Sequence, residues 1–172
     1  PLPNFAQLGR NKIGSSTNTS ASDFTIVGGG NDTWDNVDEL TYQYTEVTGD
    51  FDVKVRVESV EPSARWAKAG IMVRENLAED SRMIFPRVTP PDVPTGNGGN
   101  GANDTRFAYP TGRPESTTAF GDDHNGGRHE DIDAANTIPT SNLASSNGWL
   151  RLVRRGNLFH MSNSVNGVDW QF

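Results

Sequence analysis

Between Phe51 and Glu75 the chain reads FDVKVRVESVEPSARWAKAGIMVRE, and its first half alternates strictly. Phe51, Val53, Val55 and Val57 are apolar, while Asp52, Lys54, Arg56 and Glu58 are charged. A period of two built on β-branched residues is a strand with one face buried and one face wet. After a break at Glu61-Pro62-Ser63 the alternation resumes, with Ala67, Ala69, Ile71 and Val73 on one side and Trp66, Lys68, Gly70, Met72 and Arg74 on the other. Two consecutive strands with a short polar connection predict an antiparallel pair.

The rest of the chain fits the same class. Its 172 residues suffice for one domain with a real core, yet only 33% are hydrophobic, and Gly (18) and Pro (10) are frequent. That mixture suits short strands and long turns, and no stretch sustains a helical period. The net charge of −7 offers no clustered positive surface for phosphates, which argues against a nucleic-acid partner. The local run Arg151, Arg154 and Arg155 reads as a solvated rim around a hairpin. No run of about 18 apolar residues is present, so no membrane-spanning helix is expected. The first residue is not Met and no signal peptide precedes the strands, which reads as a mature product, a fragment or an excised segment. Cysteine is absent, which removes disulfides and thiolate metal sites without excluding secretion. The acidic, Asn/Thr/Ser/Gly-rich composition suggests an extracellular, bacterial setting.

Residues 1–22 are polar and are expected to be a tail or an irregular edge segment, followed by one β-sandwich domain over 23–172. Strands are expected at Phe24–Val27 and around Leu40, Tyr42 and Tyr44. Gly28-Gly29-Gly30 reads as a turn, because no lysine or helix start follows to make a phosphate loop. Arg82–Thr89 is apolar enough for a strand, but Pro86 has no N–H for the ladder, which demands an edge position or a bulge. Long loops are expected at 90–104 and 111–147, with a short strand at Arg106–Tyr109 between them. Trp149–Arg154 and Leu158–Asn163 flank Arg155-Gly156-Asn157 as a hairpin, and Asn166-Gly167 is a second turn signal.

Several of these segments together resemble one family of bacterial extracellular modules. They are Thr33-Trp34 with Asp38-Glu39; Gly49-Asp50 with the Val-rich strand; Trp66-Ala67-Lys68-Ala69-Gly70-Ile71-Met72-Val73-Arg74-Glu75; Trp149 through Asn157; and Ser164-Val165-Asn166-Gly167-Val168-Asp169-Trp170. The order resembles the concanavalin A-like, laminin-G-like jelly-roll modules described as domains of unknown function related to "regulation of enolase". The resemblance implies an antiparallel two-sheet jelly-roll β-sandwich, commonly one module of a secreted polysaccharide-processing or cell-surface protein. Against that pattern, the loops at 90–104 and 111–147 are long, and the last strands after the Ser-x-Asn-Gly-x-x-Trp block are lacking.

Such a fold hosts several chemistries, so the residues must decide. Glycoside hydrolysis needs two carboxylates flanking the scissile bond. The nearest match, Glu130-Asp131-Ile132-Asp133, falls in an expected loop and lacks a third acid at the required spacing, so no enzyme is expected. Asp122, Asp123, Asn125 and Asp131, with His124, His129 and Glu130 near them, are oxygen-rich enough for Ca2+ on a bending loop, or simply a solvated acidic loop. A sugar site needs an aromatic platform and planar polar groups. Trp66, Lys68 and Arg74, with Lys54 and Arg56 beside them, supply that combination on the wet face of the second strand; the alternative is that Trp66 caps the sandwich and Lys68 and Arg74 make surface ion pairs. Trp34, Trp149 and Trp170 are expected in the core. The expected role is a non-catalytic carbohydrate-binding or adhesion module whose partner is a polysaccharide or glycoconjugate. The alternative is an assembly module whose C-terminal edge pairs with neighbouring subunits.

Overall fold

A computed structural model describes residues 2–10, 13–34, 37–64, 67–88, 105–110, 127–131 and 148–170, with the side chains of Trp34, 105–110 and 127–131 left aside. The described residues are all-β, with strands arranged in five sheets of two to five strands. By their internal contacts they divide into two compact units: Pro1–Thr48 with Arg74–Met83 and Pro110–Arg128, and Gly49–Val73 with Ile84–Tyr109 and His129–Phe172.

In the first unit, β1 (Asn4–Leu8) pairs antiparallel with β6 (Leu40–Tyr44), setting Leu8 opposite Leu40 and Ala6 opposite Tyr42. Leu8 is buried on this face, and the Tyr42 and Tyr44 rings stack at 5.2 Å. Burial raises the Tyr42 hydroxyl pKa, an effect that the nearby Arg74 charge partly offsets. A hairpin of β2 (Ser15–Asn18) and β3 (Phe24–Val27) turns where the Thr19 and Ser20 amides both donate to the Asp23 carbonyl. The small pair β4 (Thr33–Trp34) and β5 (Val37–Asp38) completes this part. Residues 1–22 therefore contribute two paired strands. Their polar composition is satisfied by ladders and side-chain amides: Gln7 donates to the Gly14 carbonyl at 2.5 Å, and Gln43 donates to the Leu2 carbonyl at 2.8 Å.

In the second unit, β7 (Phe51–Val57), β13 (Gly148–Arg155) and β14 (Leu158–Ser164) form an antiparallel sheet in the order β14-β13-β7. The β13–β14 turn falls on Gly156-Asn157, where Gly156 has φ 58° and its amide donates to Asp50 at 2.7 Å. Its positive φ is the conformation that makes glycine the favoured residue there. β8 (Ala69–Gly70), β9 (Val73–Arg74), β10 (Met83–Val88), β11 (Thr105–Pro110) and β12 (Gly127–Asp131) make the five-stranded sheet.

Three expectations change here. β7 pairs with β13 and β8 with β10, so the two halves of the 51–75 stretch are not ladder partners. β10 is no edge strand either, since it pairs with β11 on one side and with β8 and β9 on the other. The Ile71 amide donates to the Pro86 carbonyl at 3.1 Å, and Pro86 has no N–H to return that bond. The pairing of Gly70 with Arg87 and the bond from the Glu75 amide to the Arg82 carbonyl keep one register across the gap. No residue is inserted, so Pro86 interrupts the ladder between β8 and β9 without a bulge. Thirdly, Gly127–Asp131 was expected within a loop and is a strand, which puts the backbone of Glu130 and Asp131 on β12.

Candidate functional site

The β14-β13-β7 sheet has two contrasting faces, and side chains directly opposite on neighbouring strands share a face. On one face Leu150 and Leu152 are fully buried, flanked by Val53 and Val55 of β7 and by Met161 and Asn163 of β14. The other face is polar and runs in three transverse rows. Ser164, Trp149 and Arg56 form the first, Ser162, Arg151 and Lys54 the second, and His160, Val153 and Asp52 the third.

The segment after β14 folds back onto these rows. Ser164 Oγ accepts the amides of Asn166 and Gly167, and Asn166 Oδ1 accepts those of Val168 and Asp169 at 2.9 Å. These bonds close a tight Asx-type turn. Gly167, with φ 74°, lies so close to the Trp149 indole that a β-carbon there would stand 2.9 Å from its Cε2. The turn carries Trp170 over the second row. Its ring lies 5.4 Å from Lys54 Nζ and 5.5 Å from the Arg151 guanidinium carbon, within cation–π range of both. Trp149 and Trp170 are half-buried and lie with the charged rows, away from Leu150 and Leu152. For Trp170 the core expectation is thereby corrected, because its indole is held by cations.

Arg151 closes a two-toothed pair on Asp52, with Nε donating to Oδ1 at 2.8 Å and Nη2 to Oδ2 at 2.5 Å. That hydrogen bonding holds the Asp52 carboxyl below the usual carboxylate range and pushes the Arg151 guanidinium upward. Lys54 is exposed, and among the described residues its ammonium forms no ion pair. Ser162, in the same row, is 1% exposed, and among the described residues its Oγ has no hydrogen-bond partner.

Of the residues expected to bind sugar, Arg56 belongs to this face, opposite Trp149, with Glu58 at 3.8 Å. Arg74 does not. Its side chain is 2% exposed and ion-paired with Asp38, which is 0% exposed. It also donates to the carbonyls of Asn76 at 3.3 Å and Ala78 at 2.6 Å, tying down the turn that follows β9. Met72, its neighbour on the supposed wet side, is buried as well. Met72 and Arg74 are thus drawn further in than the half-buried Ile71 and Val73 between and before them, and the acid that draws Arg74 inward lies 36 residues earlier in the chain. Lys68 is half-buried just ahead of β8, and Trp66 lies outside the described residues. Asp122, Asp123 and Asn125, expected as calcium ligands, also lie outside them; Asp131 is on β12, where only the backbone is described. Among the described residues no group of three or more His, Cys, Asp or Glu is gathered to hold a metal.

Sequence reasoning passed over Asp52, Arg151 and Trp170. The alternation of β7 already put Asp52, Lys54 and Arg56 together, and that of β13 did the same for Trp149 and Arg151. Only the pairing of β7 with β13 joins the two sets, and no local signal encodes it.

Compared with known proteins, the chain matches no family model, no curated protein and no solved structure. No helix among the described residues is long and apolar enough to cross a membrane.

Proposed function

We propose that this chain is a non-catalytic carbohydrate-binding or adhesion module of a secreted or cell-surface protein, built as a jelly-roll β-sandwich. The observation that carries this reading is the Trp170 indole, half-exposed and fixed over Lys54 and Arg151 on an otherwise polar sheet face. A sugar ring has an apolar C–H face and a rim of hydroxyls, so its site needs an aromatic platform beside planar hydrogen-bonding groups. The Arg151–Asp52 pair is such a planar group, held in place within the same rows. The antiparallel all-β architecture and the family resemblance of the segments 49–57, 66–75, 149–157 and 164–170 support the same reading.

A catalytic role is less well supported by this face. A glycosidase acid must be protonated to deliver its proton to the leaving oxygen. Asp52 is held ionised by Arg151 instead. The alternative of an assembly module, completed by strands from a partner, draws on the C-terminal edge, where β14 is an outer strand of the β14-β13-β7 sheet among the described residues. The other outer strand, β7, carries Asp52, Lys54 and Arg56 in alternation, the pattern by which exposed edges resist strand addition.

Retention on a panel of immobilised polysaccharides, neutral and charged, tests the reading. The chain is expected to be retained on at least one of them, and Trp170→Ala to abolish retention while the far-UV circular dichroism stays unchanged. If no polysaccharide on the panel retains the chain, the carbohydrate reading fails.

A further inference from the structure

We infer that the glycan taken by this face is an acidic one, a polysaccharide whose pyranose rings carry carboxylates, with Lys54 as the residue that selects the charge. The inference rests on the carbohydrate reading and adds the chemical class of the ligand.

The argument starts from charge. The whole chain carries −7, yet the three rows hold Lys54, Arg56 and Arg151 against a single carboxylate within them, Asp52. Arg151 spends both teeth of its fork on that carboxylate. Arg56 has Glu58 beside it. Lys54 differs: it is exposed, its ammonium carries three donors, and among the described residues it lies over an indole and near enough to Asp52 for its charge to lower that carboxyl's pKa, without forming an ion pair. A cation over a ring is attracted to it by the ring quadrupole, yet its hydrogen-bond donors gain no oxygen acceptor from the contact.

The position of Lys54 relative to Trp170 then sets the ligand. The ammonium stands 5.4 Å from the ring centroid. Lys54 and Arg151 lie against one face of the indole, so a pyranose stacks on the other. The exposed Lys54 side chain, on its flexible four-carbon stem, reaches past the ring edge to a carboxylate carried by such a pyranose. A neutral hexose in the same pose offers Lys54 a hydroxyl in place of a carboxylate, and charge-assisted hydrogen bonds are roughly twice as strong as neutral ones. Arg151 is already held to Asp52 by two bonds, and Asp52 repels an incoming carboxylate, so Lys54 is the cation of this row left to take one.

The test compares the full chain on polygalacturonate, a sulfated polysaccharide of matched charge density, and a neutral glucan, by affinity electrophoresis or calorimetry. Tightest binding is expected to polygalacturonate, weakening as salt is raised from about 0.05 to about 0.5 M, as screening of exposed charges requires. Lys54→Gln is expected to lose about tenfold in affinity for polygalacturonate, equivalent to about 1.4 kcal/mol. Its affinity for the neutral glucan should fall by much less, since only the contact of Lys54 with the Trp170 indole is lost there, and Lys54→Arg should restore most of the loss. Equal or tighter binding to the neutral glucan, with Lys54→Gln indifferent, would overturn the acidic-ligand inference and leave the carbohydrate reading standing. Preference for the sulfated polymer would overturn the carboxylate assignment alone. Binding to none of the three, with self-association of the chain instead, would remove both readings, because the cationic rows would then serve the chain's own acidic surface.

Discussion

Removing the guanidinium of Arg74 should destabilise the first unit more than any surface substitution. Arg74→Met keeps most of the stem and deletes the charge, removing the Arg74 cation from Asp38, which is 0% exposed. Stranding one member of a buried pair costs about 3–5 kcal/mol. A loss of about 4 kcal/mol is therefore expected at neutral pH. The bonds from Arg74 to the Asn76 and Ala78 carbonyls go as well, but those acceptors are exposed and water replaces the donor. Urea unfolding followed by far-UV circular dichroism, with hydrogen exchange of the β6 amides as a local probe, measures the loss. The double variant Arg74→Met with Asp38→Ala should be at least about 2 kcal/mol more stable than the sum of the single losses requires. A loss under about 1 kcal/mol for Arg74→Met, or additivity within about 0.5 kcal/mol, would refute the buried-pair account.

Two other outcomes follow from the second unit. Asp52 has its carboxyl pKa lowered by the hydrogen bond from Arg151, so its contribution is present above the unfolded value near 3.9 and is lost as pH falls through the lower folded value. Asp52→Asn should therefore flatten the acid limb of the stability profile below about pH 4, and a carboxyl titrating at its ordinary value by NMR would contradict the pair. At Gly167, which combines φ 74° with a close Trp149 ring, substitution by Ala should lower the melting temperature clearly; at Gly156, φ 58° with open space around it, the backbone strain of about 1 kcal/mol is the only cost. Equal melting temperatures for the two variants would mean that the ring contact at Gly167 carries nothing.

Local pattern made parts of this chain legible and long-range pairing hid the rest. Phe24–Val27 and Leu40–Tyr44 are strands as their composition requires, and the glycine of the 155–157 turn takes the positive φ that such a hairpin needs. Alternation also assigned Asp52, Lys54 and Arg56 to one face correctly, although Val53 on the other is itself 38% exposed. What alternation cannot say is which face is the inner one. For β7 the charged side is the wet side; around Met72 and Arg74 the polar-looking side is the more buried one, because Asp38 supplies a countercharge there. The N-terminal strands were invisible for a related reason. Their residues bury little, and a ladder of backbone bonds leaves no mark on composition.

The pairing of β7 with β13 has a consequence in time. The hairpin of β13 and β14 closes across two residues and can form on its own within microseconds. β7 joins it only when Asp52 meets Arg151, 99 positions later. Closing a flexible loop of that length costs about 4 kcal/mol of chain entropy before any contact repays it. Contacts of such high sequence separation slow folding, so β7 is expected to dock late. During synthesis it emerges from the ribosome long before its partner exists, and its exposed charges keep it solvated while it waits. The charged rows under Trp170 would thus be among the last surfaces of the molecule to be assembled.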